Sequence, residues 1–289
     1  MIESATQTLR QLLRFLPQHD PWRALSREAI VIALFLLVIV ALERLNRADL
    51  TRYRRREFFN DFVYALFYQG GIYNFLIYVP VFSTLQKRLA FADLHVLTSV
   101  PAPVSFILFW LIADFVGYWI HRMQHAVPFL WAFHSVHHAP SRITFLTSNR
   151  LHVVEQFVAN ALMFIPILVL GVPQKVWLPF IVFHTMLEAL QHATLSWRYG
   201  PLYRVFVSPL FHNLHHSTIA TEYNGNYSKI LSIWDFVFGT AVDRESLPAA
   251  YGIEGIEIPE RLSAQLVAPF KILRKRSETA AVEAAETVA

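Results

Sequence analysis

Residues 114–138 read DFVGYWIHRMQHAVPFLWAFHSVHH and carry two of three short histidine motifs in this chain. The motifs are one HxxxH and two HxxHH, formed by His121 and His125, by His134, His137 and His138, and by His212, His215 and His216. Residues three and four apart share one face of a helix, so each motif presents its imidazoles together. The pattern therefore predicts helices that carry clustered imidazole groups.

Eight of the 13 histidines fall in these motifs. Neutral imidazole is a good ligand for iron, zinc, copper or nickel. One ion normally uses about four to six ligands, so eight histidines favour a site for two metal ions. A single histidine taken alone is equally compatible with a hydrogen-bonded core residue, and the set of three motifs is what favours metal binding.

The composition is that of an integral membrane protein. Of 289 residues, 55% are hydrophobic and only 16% are charged, and the mean hydropathy is +0.38. A soluble domain usually contains about 25% charged residues. We therefore predict an all-α fold, a membrane-embedded helical bundle with a histidine-rich cap that holds two metals.

Four or five membrane spans are predicted, because a span needs about 20 mostly apolar residues. The candidate segments are residues 29–42, 62–85, 103–120, 157–172 and 176–195. Gly70-Gly71 and Pro80 are expected to break the second segment into shorter pieces, whereas Gly171 and Pro173 predict a helical hairpin between the last two.

The positions of the arginines predict how the chain is oriented in the membrane. Residues 43–57 (ERLNRADLTRYRRRE) contain six Arg and should stay in the cytoplasm by the positive-inside rule. Counting spans from there places all three histidine motifs on the cytoplasmic side. We expect an N-terminal membrane anchor over residues 1–100, a catalytic domain over 101–245, and a C-terminal amphipathic segment over 246–289 that ends in a disordered tail after Arg276.

The residues around the histidines make the pattern more specific. Residues 114–125 resemble the first histidine box of the fatty acid hydroxylase and sterol desaturase superfamily, and residues 134–138 resemble the second. The segments NRLHVVE (149–155), LQHA (190–193), HNLHH (212–216), EYNGNY (222–227) and WDFVFGT (234–240) resemble the elements that follow. The resemblance covers about residues 105–241.

Members of that superfamily are membrane-bound non-haem di-iron enzymes that hydroxylate or desaturate lipids. The resemblance implies metal ligands at His121, His125, His134, His137, His138, His192, His212, His215 and His216. His184 lies two turns before His192 on the same predicted helix and is a tenth candidate. His152 either ligates a metal or bonds Glu155 or a lipid phosphate.

Asp114, Glu188 and Asn226 are the candidate catalytic residues. A ligating histidine usually donates its second N–H to a carboxylate or carbonyl, and Asp114, Glu155, Glu188, Glu222 and Asp235 are available. The chain departs from some members at Glu188, where they carry another His. The role of Glu188 as a ligand, as an acceptor for a histidine N–H or as a proton relay is left open by the sequence.

The resemblance also implies the cofactors and partners. These are two Fe, O2 as co-substrate, a membrane lipid substrate, and electrons from an external reductase through a ferredoxin or a cytochrome b5-like carrier. The chain contains no Cys, which excludes thiolate ligation of haem or an iron–sulfur cluster. A net charge of +4 spread over loops gives no support to nucleic-acid binding.

Two other functions are compatible with clustered histidines. A membrane zinc hydrolase would also activate water on an imidazole-bound metal, but it needs only three protein ligands and an open position. A metal or haem carrier could use bis-His pairs, but a transporter needs polar residues through the membrane depth. Eight or more histidines at the ends of spans favour the oxygenase.

Overall fold

The computed structural model describes residues 21–288, and this part of the chain is helical and forms no β-strand. The helices are α1 (Pro21–Leu45), α2 (Arg56–Tyr68), α3 (Val79–Arg88), α4 (Ala102–Ala126), α5 (Pro128–His138), α6 (Val153–Leu170), α7 (Gln174–His192), α8 (Pro209–His215), α9 (Ala220–Tyr223), α10 (Ile233–Val237), α11 (Leu262–Gln265) and α12 (Ala268–Val288). The predicted all-α fold is confirmed. Residues 1–20 of the predicted anchor lie outside the described residues.

Two helices of the described region are long and apolar enough to cross a membrane. They are α4, with 25 residues, and α6, with 18 residues. They coincide with the predicted segments 103–120 and 157–172. The total of four or five spans and the cytoplasmic position of the histidines remain predictions.

Glycines and prolines end the helices where the sequence indicated. The segment 62–85 is split into α2 and α3, with Gly71 in a left-handed conformation (φ 83°) between them. Gly171 (φ 64°) ends α6, and the Val172 N–H donates to the Ile167 carbonyl at 3.3 Å. This is the hydrogen bond of a glycine-terminated helix. Pro173 then precedes α7, so the turn predicted between α6 and α7 is confirmed.

Helix α4 is the centre of the bundle, since α5, α6 and α7 all pack against it. Phe109 of α4 and Phe180 of α7 meet edge to face, with ring centroids 4.9 Å apart. Leu97, Ala113 and Val176 complete this buried apolar cluster. The packing brings the carboxyl ends of α4 and α7 to the same region, next to α5.

A buried ion pair joins α2 to the segment before α6. The Arg150 Nε donates to Asp61 Oδ1 at 2.6 Å, and both side chains are almost wholly buried. Arg150 also donates to the Glu57 carbonyl, and the Thr147 hydroxyl donates to Asp61. These bonds hold the residues that lead into α6 in one position.

The carboxyl-terminal helix α12 packs against α5. The Phe270 ring meets the Phe133 ring edge to face at 5.3 Å. Disorder was expected after Arg276, whereas the structure continues α12 to Val288. The alanines and glutamates of that tail have high helix propensity, which accounts for the difference.

Candidate metal centre

Nine histidines from four helices converge in two adjacent groups. A five-histidine group contains His121, His125, His134, His138 and His215, and a four-histidine group contains His137, His192, His212 and His216. Within each group, one nitrogen of every ring lies within 4.8 Å of the others. The carboxyl ends of α4, α5, α7 and α8 supply these residues.

Each HxxHH motif is divided between the two groups. His134 and His138 of α5 face the five-histidine group, while His137 faces the other. On α8 the division is reversed, because His212 and His216 join the four-histidine group and His215 crosses over. Residues four apart lie on one face of a helix, so His134 with His138 and His212 with His216 each stay in one group, and the remaining histidine of each motif joins the other.

Four histidines are oriented through their Nδ1 atoms. Nδ1 lies 2.7 Å from the Tyr227 carbonyl in His121, 2.7 Å from the Gly225 carbonyl in His215, and 2.7 Å from the Glu188 carbonyl in His192. In His134 the partner is Glu155 Oε1, at 2.6 Å. An N–H donated from Nδ1 leaves the lone pair on Nε2, which therefore points into the group as a ligand atom.

The ring nitrogens that point into each group lie close to one another. His134 Nε2 lies 3.2 Å from Nε2 of both His121 and His138, and His192 Nε2 lies 3.0 Å from that of His212. Among the described residues, both ring nitrogens of His125 and Nε2 of His215 are buried without a partner. Buried polar atoms are nearly always satisfied. A metal ion in each group would satisfy these nitrogens, so the residues present fit two metals.

Four of the buried histidines, His137, His138, His212 and His216, are neutral at physiological pH. Burial is the largest cause that lowers the pKa of His137, His138, His212 and His216 well below the usual 6.5, and neighbouring histidines lower it further. A protonated imidazole cannot ligate a metal. The site therefore holds its ligands in the form that binds metal.

Aromatic rings cover the five-histidine group on one side. Trp131 and Tyr223 stack with ring centroids 5.6 Å apart, and Trp131 lies 4.9 Å from the His125 ring. The Tyr227 ring lies 5.2 Å from the same histidine. These rings separate the group from solvent.

A loop over residues 225–231 supplies the two carbonyls that orient His121 and His215. Asn226 has a left-handed backbone (φ 56°), donates to the Phe211 and Val242 carbonyls, and accepts from the Val242 N–H. Asp235 accepts the N–H groups of Tyr227 and Ser228. The side chains of Asn226, within the loop, and of Asp235, outside it, thus hold its carbonyls against the histidines.

Asp114 holds the end of the same loop. Its carboxylate accepts hydrogen bonds from the Ile230 and Leu231 N–H groups at 2.8 and 3.0 Å, and from the Trp234 indole at 2.8 Å. The catalytic roles of Asp114 and Asn226 remain predictions. In the structure the polar atoms of both residues bond to this loop and its surroundings.

His184 and His152 lie outside both groups. His184 Nδ1 is 3.3 Å from Glu188 Oε2. His152 accepts the Val154 N–H at the start of α6, and its Nε2 is 3.1 Å from the Leu266 carbonyl. Ligation by His184 remains a prediction, and the nine other predicted ligands are brought together.

Lys229 is a charged residue near the centre that the sequence reasoning did not single out. Its Nζ lies 3.2 Å from Glu188 Oε1, and the Gln191 side chain donates to its carbonyl at 2.7 Å. The sequence could have pointed to Lys229, because it is the one charged residue in the segment NGNYSKILSIW, residues 224–234. The sequence could not have pointed to the carbonyls of Gly225 and Tyr227, since every residue has a backbone carbonyl.

Comparison with known proteins identifies relatives of known activity. The profile of the fatty acid hydroxylase family matches residues 106–240. The ornithine lipid hydroxylase OlsE of Rhizobium tropici is 31% identical over 249 residues, which cover 83% of this chain and 75% of that protein. No solved structure gives a significant match.

Two further relatives are monooxygenases. The alkylglycerol monooxygenase of Danio rerio is 34% identical over 146 residues, which are 50% of this chain and 32% of that protein. The methylsterol monooxygenase 2-2 of Arabidopsis thaliana is 28% identical over 178 residues, which are 58% of this chain and 65% of that protein. The family match over residues 106–240 includes all three histidine motifs.

Proposed function

The chain belongs to the fatty acid hydroxylase family and is an oxygenase, and from this premise we propose that it hydroxylates or desaturates a membrane lipid with O2 at a di-iron centre. The observation that carries the proposal is the pair of adjacent histidine groups, in which buried imidazole nitrogens face one another and those of His125 and His215 Nε2 have no partner among the described residues. Relatives named as hydroxylases and monooxygenases support the reaction type.

The five-histidine group would hold one iron and the four-histidine group the other. Two irons supply the activation of O2 that oxidation of an unactivated C–H bond requires and that amino-acid side chains cannot provide. Imidazole suits iron as a ligand, but it suits zinc equally well. The assignment to iron rests on the family rather than on the ligand type.

The residues of the chain position these ligands and exclude water. Glu155 accepts the Nδ1 proton of His134, and the carbonyls of Tyr227 and Gly225 accept those of His121 and His215. Such partners fix the ring orientation and raise the basicity of the ligating nitrogen. The stacked Trp131 and Tyr223 keep bulk water from the oxidising centre.

The lipid would approach from the membrane along α4 and α7, whose carboxyl ends carry His121, His125 and His192. We place the centre on the cytoplasmic side of a multi-pass protein, as the arginines of residues 43–57 favour. The catalytic domain is placed at residues 101–245, between the anchor at 1–100 and the carboxyl-terminal segment at 246–289. All nine histidines of the two groups and the family match fall within it.

Electrons would come from a separate reductase through a ferredoxin or a cytochrome b5-like carrier. The chain has no Cys and so supplies no thiolate ligands for an iron–sulfur cluster. The cytoplasmic arginines would suit an acidic carrier.

Lipid analysis tests the reaction. Cells that express the wild-type chain and cells that express a His137→Ala, His215→Ala variant are compared for lipids that gain one oxygen or lose two hydrogens. We expect such products only with the wild type, and labelling with 18O2 should mark a hydroxylated product. A product labelled from H2 18O instead would indicate the zinc hydrolase, and equal lipids in both cultures would contradict lipid oxidation.

A further inference from the structure

Three ionisable side chains lie together beside the metal centre without belonging to it. Glu188 Oε1 is 3.2 Å from Lys229 Nζ, and Glu188 Oε2 is 3.3 Å from His184 Nδ1. The side chains of Lys229, Glu188 and His184 are 24%, 22% and 26% exposed, so a ligand can reach them. We call Lys229 and Glu188 the charged pair.

The charged pair lies one helical turn from the histidines, toward the amino-terminal ends of α4 and α7. Glu188 is four residues before His192 on α7, one helical turn nearer the amino-terminal end. The stem of Lys229 passes Gly117 of α4, where a Cβ would lie 3.4 Å from Lys229 Cγ. Gly117 is likewise one turn before His121. The pair therefore bridges α4 and α7 one turn from the histidines, on the path along these helices that we propose for the lipid.

Lys229 carries a positive charge close to the metal ligands, since the side chain of Gln191, the residue before His192, donates to its carbonyl at 2.7 Å. Ionisable residues at such positions are rare and usually functional.

From these positions we propose that Lys229 and Glu188 bind the head group of the lipid substrate, and that this head group is a zwitterionic amino acid with one carboxylate and one ammonium. The proposal rests on the proposed lipid oxidation. Lys229 would donate to the carboxylate and Glu188 would accept from the ammonium.

The chemistry of the pair favours a zwitterion over a singly charged group. An ammonium has three N–H donors, of which Glu188 takes one, and each oxygen of a carboxylate can accept a further hydrogen bond. A zwitterion adds partners to both charges and leaves the net charge unchanged, whereas a lone anion or cation would compete with the existing ion pair. Ornithine, named in the relative OlsE, is an amino acid of this kind.

Binding of three synthetic lipids tests the proposal without turnover. The probes are N-palmitoyl-ornithine, N-palmitoyl-norvaline, which lacks the ammonium, and N-palmitoyl-putrescine, which lacks the carboxylate. Dissociation constants are measured on metal-loaded protein in nanodiscs, under argon and without reductant. We expect the wild type to bind N-palmitoyl-ornithine roughly tenfold more tightly than either analogue, because each analogue loses a charge-assisted hydrogen bond.

Variants assign the two contacts. Lys229→Met should abolish the preference for N-palmitoyl-ornithine over the putrescine analogue and keep the preference over norvaline. Glu188→Gln should do the opposite, and Lys87→Met, a change of an exposed lysine on α3, should change neither. Metal content equal to that of the wild type shows that a variant is folded. Equal binding of all three probes by the wild type would overturn the proposal, as would variants that keep both preferences.

These measurements distinguish a failure of the proposed head-group site from a failure of the proposed lipid oxidation. Iron in the protein together with equal binding of the probes would contradict the charged pair alone. A preference for N-palmitoyl-ornithine in a protein that binds zinc and oxidises no lipid would contradict the proposed oxidation and leave the head-group site standing.

Discussion

Glu155 Oε1 lies 2.6 Å from Nδ1 of His134, and both side chains are only 2% exposed. His134 is the residue whose Nε2 approaches both His121 and His138. The carboxylate thus sets the orientation of the ring at the centre of the five-histidine group.

Glu155→Gln keeps the size of the side chain but removes its charge. We expect metal affinity to fall roughly 10- to 100-fold, as it does when a partner of a ligating histidine is lost. Competition with a chelator measures the affinity. Glu57→Gln changes a half-buried carboxylate that accepts from Ser141, and this control should bind metal as the wild type does. Unchanged affinity in Glu155→Gln would contradict the role of this contact.

Asp235→Asn tests the loop that carries the orienting carbonyls. The buried carboxylate accepts from Tyr227 N–H, Ser228 N–H and the Thr240 hydroxyl. Hydrogen bonds to a charged group contribute about 1.5–3 kcal/mol, so the melting temperature should fall by several degrees. Thermal unfolding in detergent measures it. The exposed Asp243→Asn is the matched control, and an equal change in both variants would refute a special role for Asp235.

Acid should destabilise the metal-free protein. Burial lowers the pKa of His138, His212 and His216 well below 6.5, while the unfolded chain keeps the usual value. Below about pH 6.5 the unfolded state therefore binds more protons than the folded state, and the free energy of unfolding falls as the pH falls. Melting temperatures measured in steps from pH 7.5 to pH 5.5 should drop.

Two variants separate this effect from general acid unfolding. His138→Gln removes one buried group and should give a shallower dependence on pH. His95→Asn changes an exposed histidine and should keep the wild-type slope. The same slope in all three proteins would contradict the account.

Arg150→Met should destabilise the fold strongly, because it leaves the buried Asp61 carboxylate unpaired. Removing one partner of a buried ion pair costs about 3–5 kcal/mol. The double variant Arg150→Met, Asp61→Asn removes both charges and should recover part of the loss. Unfolding in detergent compares the two, and a double variant less stable than the single would contradict this reading of the pair.

The spacing of residues predicted most of what local geometry controls. The HxxxH and HxxHH motifs predicted helices with clustered imidazoles, and α4, α5 and α8 carry them. Gly171 and Pro173 predicted the turn between α6 and α7, because glycine alone adopts its left-handed conformation without strain. These features depend on residues close together in the chain.

The remaining features depend on how distant segments pack. His137 meets the rings of His192 and His216, whereas His134 meets His121, and the motif does not contain these distant neighbours. Likewise, the tail after Arg276 continues α12, where low hydrophobicity had suggested disorder. Asp114 accepts from the backbone after Lys229, which lies more than 100 residues away in the chain and which local spacing does not predict.

The metal content of the detergent-purified protein tests the central claim most directly. It is measured for the wild type, for the His137→Ala, His215→Ala variant, which loses one ligand from each group, and for His95→Asn as the control. We predict about two irons per chain in the wild type and the control and a clear loss in the double variant. A single zinc, a haem, or the same metal content in the double variant would contradict the di-iron centre.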